Sequence, residues 1–206
     1  MKKKIEYRVF KRQDKKELIR ILTDQVYSSF FEKGKDAERY SRFILNKNLG
    51  TCKYRKVAVA GDKIVGVILG IKKDKNRLLS SLKQKISEMP LKIKKKNKEA
   101  LKCLLLLDQM EQELLNQNNV DNEKLIVLLL VEKRYERTEI QEILLKDWEN
   151  EVGGTQNGST WIVVNSRTEP EFLNRNCFQK LDEKFSMIQP KEQRFRFYKM
   201  LYIRNA

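Results

Sequence analysis

The spacing of apolar and polar positions changes along the chain, and each change marks an element. Ile5, Tyr7 and Val9 alternate with Glu6, Arg8 and Phe10, a period of two that predicts a first strand over residues 5–10. Gln13-Asp14 then opens a helix whose apolar face is Leu18, Ile19, Ile21, Leu22 and Val26, with Asp14 as its N-cap. A second helix follows Gly34, with Ala37, Tyr40, Phe43, Ile44 and Leu45 spaced for burial and Leu49-Gly50 as its end. Two β-rich runs, residues 57–60 and 64–71, flank Gly61-Asp62-Lys63 and predict a hairpin. Gly66 and Gly70 inside its second strand imply a bulge or a close neighbour.

Residues 72–122 read as a helical insertion. Leu78, Leu79, Leu82, Ile86 and Met89 form one amphipathic face that stops at Pro90. Leu101, Leu104, Leu105, Met110, Leu114 and Leu115 form a second, over about residues 97–116. The centre of the chain follows. Residues 125–131, LIVLLLV, are a continuous apolar run, too short for a membrane span and right for a strand buried on both faces. A charged turn comes next, and then Ile140, Ile143, Leu144 and Trp148 recur at helical spacing. Thr138 and Gln141 stand in the relation of a capping box, the threonine accepting from the N3 amide and the glutamine reaching back. Strand, tight turn and amphipathic helix together bring a helix N-terminus to the end of a sheet, where anions bind.

Further on, Gly153-Gly154 and Asn157-Gly158-Ser159 predict a loop, residues 161–164 a buried strand, and Pro170 the first turn of a short helix. Residues 185–187 and 195–203 alternate as a closing antiparallel pair. The order is β-α-α-β-β-(α-α)-β-α-β-α-β-β, a single domain over residues 1–206 with the insertion inside it.

Composition narrows the chemistry. The chain has 206 residues, enough to bury a core without staples, and no histidine at all. That removes histidine triads and histidine metal sites. Cys52, Cys103 and Cys177 form no CxxC pair, so neither a disulfide framework nor a metal site is expected, and a reducing, cytoplasmic setting fits. The N-terminus starts with lysines but lacks an apolar segment behind them, and no run is long enough to span a membrane. Net charge is +16, which favours acidic partners. The densest basic cluster, Lys92 to Lys98, has no interleaved aromatics for stacking on bases, so it reads as a solvated loop and a nucleic-acid partner is not expected.

The order of elements and four local segments resemble the GNAT superfamily of acyl-CoA-dependent N-acyltransferases. Members carry a strand ending in Val, a turn of the type x-x-x-Tyr-Arg-Gly-x-Gly-x-Gly, and a helix with paired leucines. Val131-Glu132-Lys133-Arg134-Tyr135-Glu136-Arg137-Thr138-Glu139-Ile140-Gln141, followed by Leu144-Leu145, matches this spacing without a gap. Asn165, then Phe172-Leu173-Asn174-Arg175-Asn176-Cys177-Phe178, is similar to the Asn and Phe-Tyr-Glu-Lys-Asn-Gly-Phe of many members. The hairpin segment Lys63-Ile64-Val65-Gly66 and the closing Phe197-Tyr198-Lys199-Met200-Leu201 also look like family features.

The resemblance implies an α/β (α+β) fold, with a central mixed, mostly antiparallel sheet flanked by helices and the helical insertion between strands 3 and 4. It implies acetyl-CoA as acyl donor and a small-molecule or protein amine as acceptor, with no metal. A backbone N–H near Leu130 or Val131 is expected to meet the oxyanion. The central strand is expected to splay from residues 161–164, so that the pantetheine arm pairs with the exposed backbone and the pyrophosphate sits at the next helix start. The implied donor-binding residues are Leu129, Leu130, Val131, Arg137, Thr138, Gln141 and Asn165. This chain also departs from the pattern. Glu139 and Gln141 replace two phosphate-turn glycines, Glu136 replaces an Arg or Gln, Leu173 stands at the usual acid tyrosine and Cys177 at the glycine after it. Carboxylates near phosphates oppose binding, and no catalytic acid or base is identified. An alternative class is therefore a catalytically inactive binding or regulatory protein on the same fold that no longer binds CoA in the usual way.

Overall fold

The computed structural model describes residues 4–31, 34–72, 98–120, 124–136, 138–152, 159–165, 170–188 and 195–205. Seven strands form one sheet: β1 Ile5–Val9, β2 Tyr54–Ala60, β3 Lys63–Lys72, β4 Lys124–Val131, β5 Thr160–Asn165, β6 Gln179–Ile188 and β7 Phe195–Arg204. Their spatial order is β1-β2-β3-β4-β5-β7-β6. All neighbours are antiparallel except β4 and β5. The first four strands form a meander, and a helical crossover turns β5 parallel to β4, as a parallel pair requires. This is the mixed, mostly antiparallel sheet that the family resemblance implies.

Helices cover both faces. On one lie α1 Lys15–Leu22, α2 Gly34–Thr51 and α3 Lys98–Gln117; on the other lie α4 Ile140–Val152 and α5 Pro170–Arg175. Strand alternation divides the core accordingly. Val57, Val67 and Leu69 pack with Leu18, Leu22, Leu45 and Leu114, whereas Ala58, Val65 and Ile68 pack with Ile140, Leu144 and Trp148. A third cluster joins α2 to α3 through Phe30, Phe31, Tyr40, Leu104 and Leu107. The insertion's second helix is therefore core structure, located between strands 3 and 4 as expected. Its first helix and the basic cluster up to residue 97 lie outside the described residues.

Gly66 and Gly70 are close-approach glycines. A Cβ on Gly66 would come within 2.8 Å of Ile140 Cγ2, and one on Gly70 would overlap the Trp148 ring. The α4 helix thus lies directly on β3 because two side chains are missing there. A bulge between Leu69 and Gly70 shifts the β3–β4 register at the same point.

Two expected caps are built differently. Asp14 precedes α1 but makes no capping hydrogen bond to it. Its carboxylate instead accepts from the Lys11 amide (2.6 Å) and from both terminal nitrogens of Arg8 (2.7 and 2.8 Å), closing the turn before the helix. The Thr138–Gln141 capping box does not form. Thr138 Oγ1 donates to the Tyr135 carbonyl (2.6 Å), and the helix starts at Ile140 with Glu139 O accepting from Ile143 N (2.9 Å). The basic turn coils back on itself at Lys133–Tyr135, which draws the threonine hydroxyl away from the helix. Gly50 lies inside α2, which runs to Thr51, and β6 is much longer than the expected 185–187.

Candidate functional site

The parallel pair β4–β5 is joined only at Leu125↔Trp161 and Ile126↔Ile162, although β4 continues to Val131 and β5 to Asn165. Beyond Ile126 the strands splay. On its other side β4 stays paired with β3, and Glu132 N donates to Val65 O at 2.8 Å. That bond fixes the alternation. Leu130 and Leu128, in register with Val67 and Leu69, belong to the hydrogen-bonded pairs and turn their amides toward β3. Leu129 and Val131 belong to the other pairs, so their N–H and C=O groups face the gap. Of the two amides expected near the oxyanion, Val131 points its N–H into the gap and Leu130 does not.

A cavity of about 340 Å³ follows the splay through the sheet. Its walls on the α4–α5 side include Leu129, Glu136, Gln141, Val164 and Leu173, whereas Leu130 lines it from the α1–α3 side. Gln141 thus faces the cavity instead of reaching back to Thr138. With Thr138's hydroxyl given to Tyr135, no side chain among the described residues caps the amides at the start of α4. Thr138 itself is exposed. The turn is held by Glu132, whose carboxylate accepts from Arg134 (2.9 Å) and lies 3.6 Å from Arg20. Glu136 and Glu139 are both exposed. Asn165 pairs with Lys199 across β5–β7, its side chain outside the described atoms, and Arg137 is outside the described residues. Leu173 is only 1% exposed and carries no titratable group where the resemblance implies an acid.

The α1–α3 side was not foreseen from the sequence. Here α3 presents Leu104, Leu107, Asp108, Glu111, Gln112 and Leu115 to the cavity, one helix face at spacings of three and four. Asp108 accepts from Lys47 of α2 (2.9 Å), and Glu111 from Lys199 of β7 (2.6 Å). After α1 the chain makes a π-helical turn, Thr23–Tyr27, with Ser28 N donating to Thr23 O at 2.8 Å. The extra residue in that turn swings Gln25, Val26 and Tyr27 to the cavity wall. Tyr27 meets Tyr40 edge to face, ring centroids 4.9 Å apart. Burial pushes both phenols far above their ordinary range, and Glu111 and Asp108 add to the shift, so both remain protonated at neutral pH. The sequence held one signal for this half: two acids and a glutamine on the apolar stripe of a helix.

Among the described residues no helix is long and apolar enough to cross a membrane, and no group of three or more His, Cys, Asp or Glu could hold a metal ion. The three cysteines are free.

No family model and no curated protein sequence matches the chain. Solved structures do. Arylalkylamine N-acetyltransferase 2 from Aedes aegypti superposes with a TM-score of 0.62 at 16% identity, covering 97% of this chain and 98% of that one. Arabidopsis thaliana NAA60, solved with a bisubstrate analogue, gives 0.54 at 14% identity over 98% of both chains. A GNAT-family acetyltransferase from Staphylococcus aureus gives 0.51 at 15% identity, over 98% of this chain and 99% of that one. The strand order, the splayed parallel pair and these superpositions agree: the chain has the fold of the GNAT acetyltransferases.

Proposed function

We propose that the chain is an N-acyltransferase that moves an acetyl group from acetyl-CoA to a primary amine of a small molecule or protein. The observation that carries the reading is the β4–β5 gap. An unpaired backbone edge inside a sheet is a template for an extended, amide-bearing arm, and this edge borders a through-going cavity.

The residues fit such a donor along its arm. Leu129 and Val131 offer N–H and C=O groups, with Leu130 and Val164 as apolar walls. At the phosphate end the amides of residues 139–141, capped by no side chain among the described residues, and the helix dipole favour an anion, joined in this reading by Thr138, Gln141, Arg137 and Asn165. Glu136 opposes them. The donor supplies an activated thioester carbonyl. The amine nitrogen bonds to that carbon, the C–S bond breaks, the amine gives up a proton and the sulfur takes one. Val131 N–H is aimed to stabilise charge on the carbonyl oxygen. Leu173 has no proton to give, so the sulfur's proton does not come from that position.

Leu173 also favours a second reading, a binding protein that holds the donor and does not turn it over. Calorimetry with acetyl-CoA, followed by a thiol-release assay over a panel of amines, tests both. Binding with release supports the first reading, binding without release the second, and no heat at millimolar acetyl-CoA or CoA sinks both.

A further inference from the structure

We propose that two copies of the chain pair through the C-terminal half of β6, edge to edge and antiparallel about a two-fold axis at Ser186, so that Phe185 of each copy faces Met187 of the other. Strand β6 ends the sheet and, among the described residues, is hydrogen-bonded on one side only, to β7. Its even-numbered side chains turn to α3, where Lys184 donates to Glu113 (2.6 Å) and Asp182 accepts from Asn118 (2.8 Å). Past the bulge at Leu181 the odd-numbered ones turn to the opposite face, and there Phe185 is 59% exposed and Met187 56%. Tyr198 of β7 lies beside Phe185, ring centroids 5.9 Å apart, and widens the apolar face. Leu181 is exposed as well, so three of the five exposed large apolar side chains among the described residues stand on one edge strand. Exposed apolar residues scattered singly need no explanation, but a row of them on an edge is a template for another strand.

The edge is guarded in one half alone. The bulge and the run Asp182-Glu183-Lys184 protect its N-terminal part, by twist and by charge. Phe185-Ser186-Met187-Ile188 has neither. Charge then selects the register, and with it the partner. An antiparallel pair centred on Glu183 or Lys184 would set glutamate against glutamate or lysine against lysine, which is repulsive. Centred on Phe185, it would press the Glu183 carboxylate against Met187, at a cost in desolvation. Centred on Ser186, it sets Phe185 on Met187 twice, Ser186 on itself and Lys184 on Ile188, with no like charges opposed. A thioether and an aromatic ring attract each other. A segment that complements itself about a two-fold axis fits a second copy of its own chain. A ladder from Lys184 to Ile188 is short for an interface, and +16 on each chain opposes the approach. The dimer should therefore be weak at low salt and should strengthen as salt screens that charge.

Sedimentation velocity of the full chain over a wide concentration range, at low and high salt, tests the pairing. A shift from monomer to dimer with concentration is expected, more complete at high salt. Phe185→Lys should weaken the association at least about tenfold. Val9→Lys, which alters an exposed apolar residue on the opposite edge strand, should leave it unchanged. Crosslinking reads the register. In a Cys177→Ser background, which removes the exposed thiol, Ser186→Cys should join two chains through a short bismaleimide, and Val9→Cys should not. Adding Phe185→Lys to Ser186→Cys should abolish the crosslink. A chain that stays monomeric throughout, a dimer that weakens as salt rises, a dimer indifferent to Phe185→Lys, or a dimer that Ser186→Cys fails to crosslink overturns the proposal.

Discussion

Lys199 of β7 donates to Glu111 of α3 at 2.6 Å, tying the strand next to β5 to the helix that lines the cavity. The lysine side chain is 15% exposed and the glutamate 26%, so water screens the pair only in part. Glu111→Ala leaves that ammonium unpartnered and should cost about 1–2 kcal/mol, between the values for surface and fully buried pairs. Urea unfolding of Glu111→Ala, Lys199→Met and the double variant checks this. A double variant more stable than Glu111→Ala is the expected signature of an orphaned charge.

Asp14 sets an acid limit on stability. Burial pushes its carboxyl up, but the paired Arg8 bonds, the Lys11 amide and the charge of Arg8 outweigh burial and hold it below the ordinary carboxylate range. A carboxyl depressed in the folded state contributes stability that is present above its unfolded pKa and is lost as pH falls through the folded value. Stability should therefore decline below about pH 4, the ordinary carboxylate range. In Asp14→Asn the decline should be shallower and stability at pH 7 lower. Denaturant midpoints from pH 2 to 7 measure both.

Gly70→Ala should destabilise by about 1–3 kcal/mol, because a methyl group there overlaps the Trp148 ring, which is fully buried and has no room to retreat. Thermal unfolding reads the loss. Tryptophan fluorescence should shift as well.

Cysteine reactivity should separate cleanly. Burial pushes the Cys52 thiol up to about 12, and Cys103 is also buried, whereas Cys177 is exposed. One thiol of three should react promptly with a disulfide reagent in the native state, and all three in denaturant. Cys177 also has φ 59°. It follows α5 in a Schellman turn, with Phe178 N donating to Leu173 O (3.0 Å) and Cys177 N to Asn174 O (3.1 Å). Cys177→Gly removes the Cβ from a left-handed position and should raise stability by about 1 kcal/mol.

Hydrogen exchange along β4 should alternate. Leu128 and Leu130 donate across to β3 and should be protected, while Leu129 and Val131 face the gap and should exchange faster. Acetyl-CoA should slow the second pair selectively. Uniform protection without ligand would contradict the splay.

The strands and helices were legible because burial imposes a period. The LIVLLLV strand, the Gly61-Asp62 hairpin and the Ile140–Leu144–Trp148 face all declared themselves this way. Gly66 and Gly70 announced a close neighbour, though not that it is α4. Caps were read less well, because a threonine hydroxyl chooses among several nearby backbone partners. Thr138 takes Tyr135 O, a choice set by the preceding turn. The α1–α3 half of the cavity was illegible for a different reason. Tyr27, Lys47, Glu111 and Lys199 come from four separate elements, and no local pattern records that α3 brings them together.

Two residue pairs are all the ladder between the four-stranded meander and the β5–β7–β6 leaf. Such a sheet is hinged along a seam. Its stiffness there comes from the helices on either face, through ion pairs such as Lys199–Glu111 and Arg204–Glu149, and a molecule in the seam that stitches the two edges would add to it.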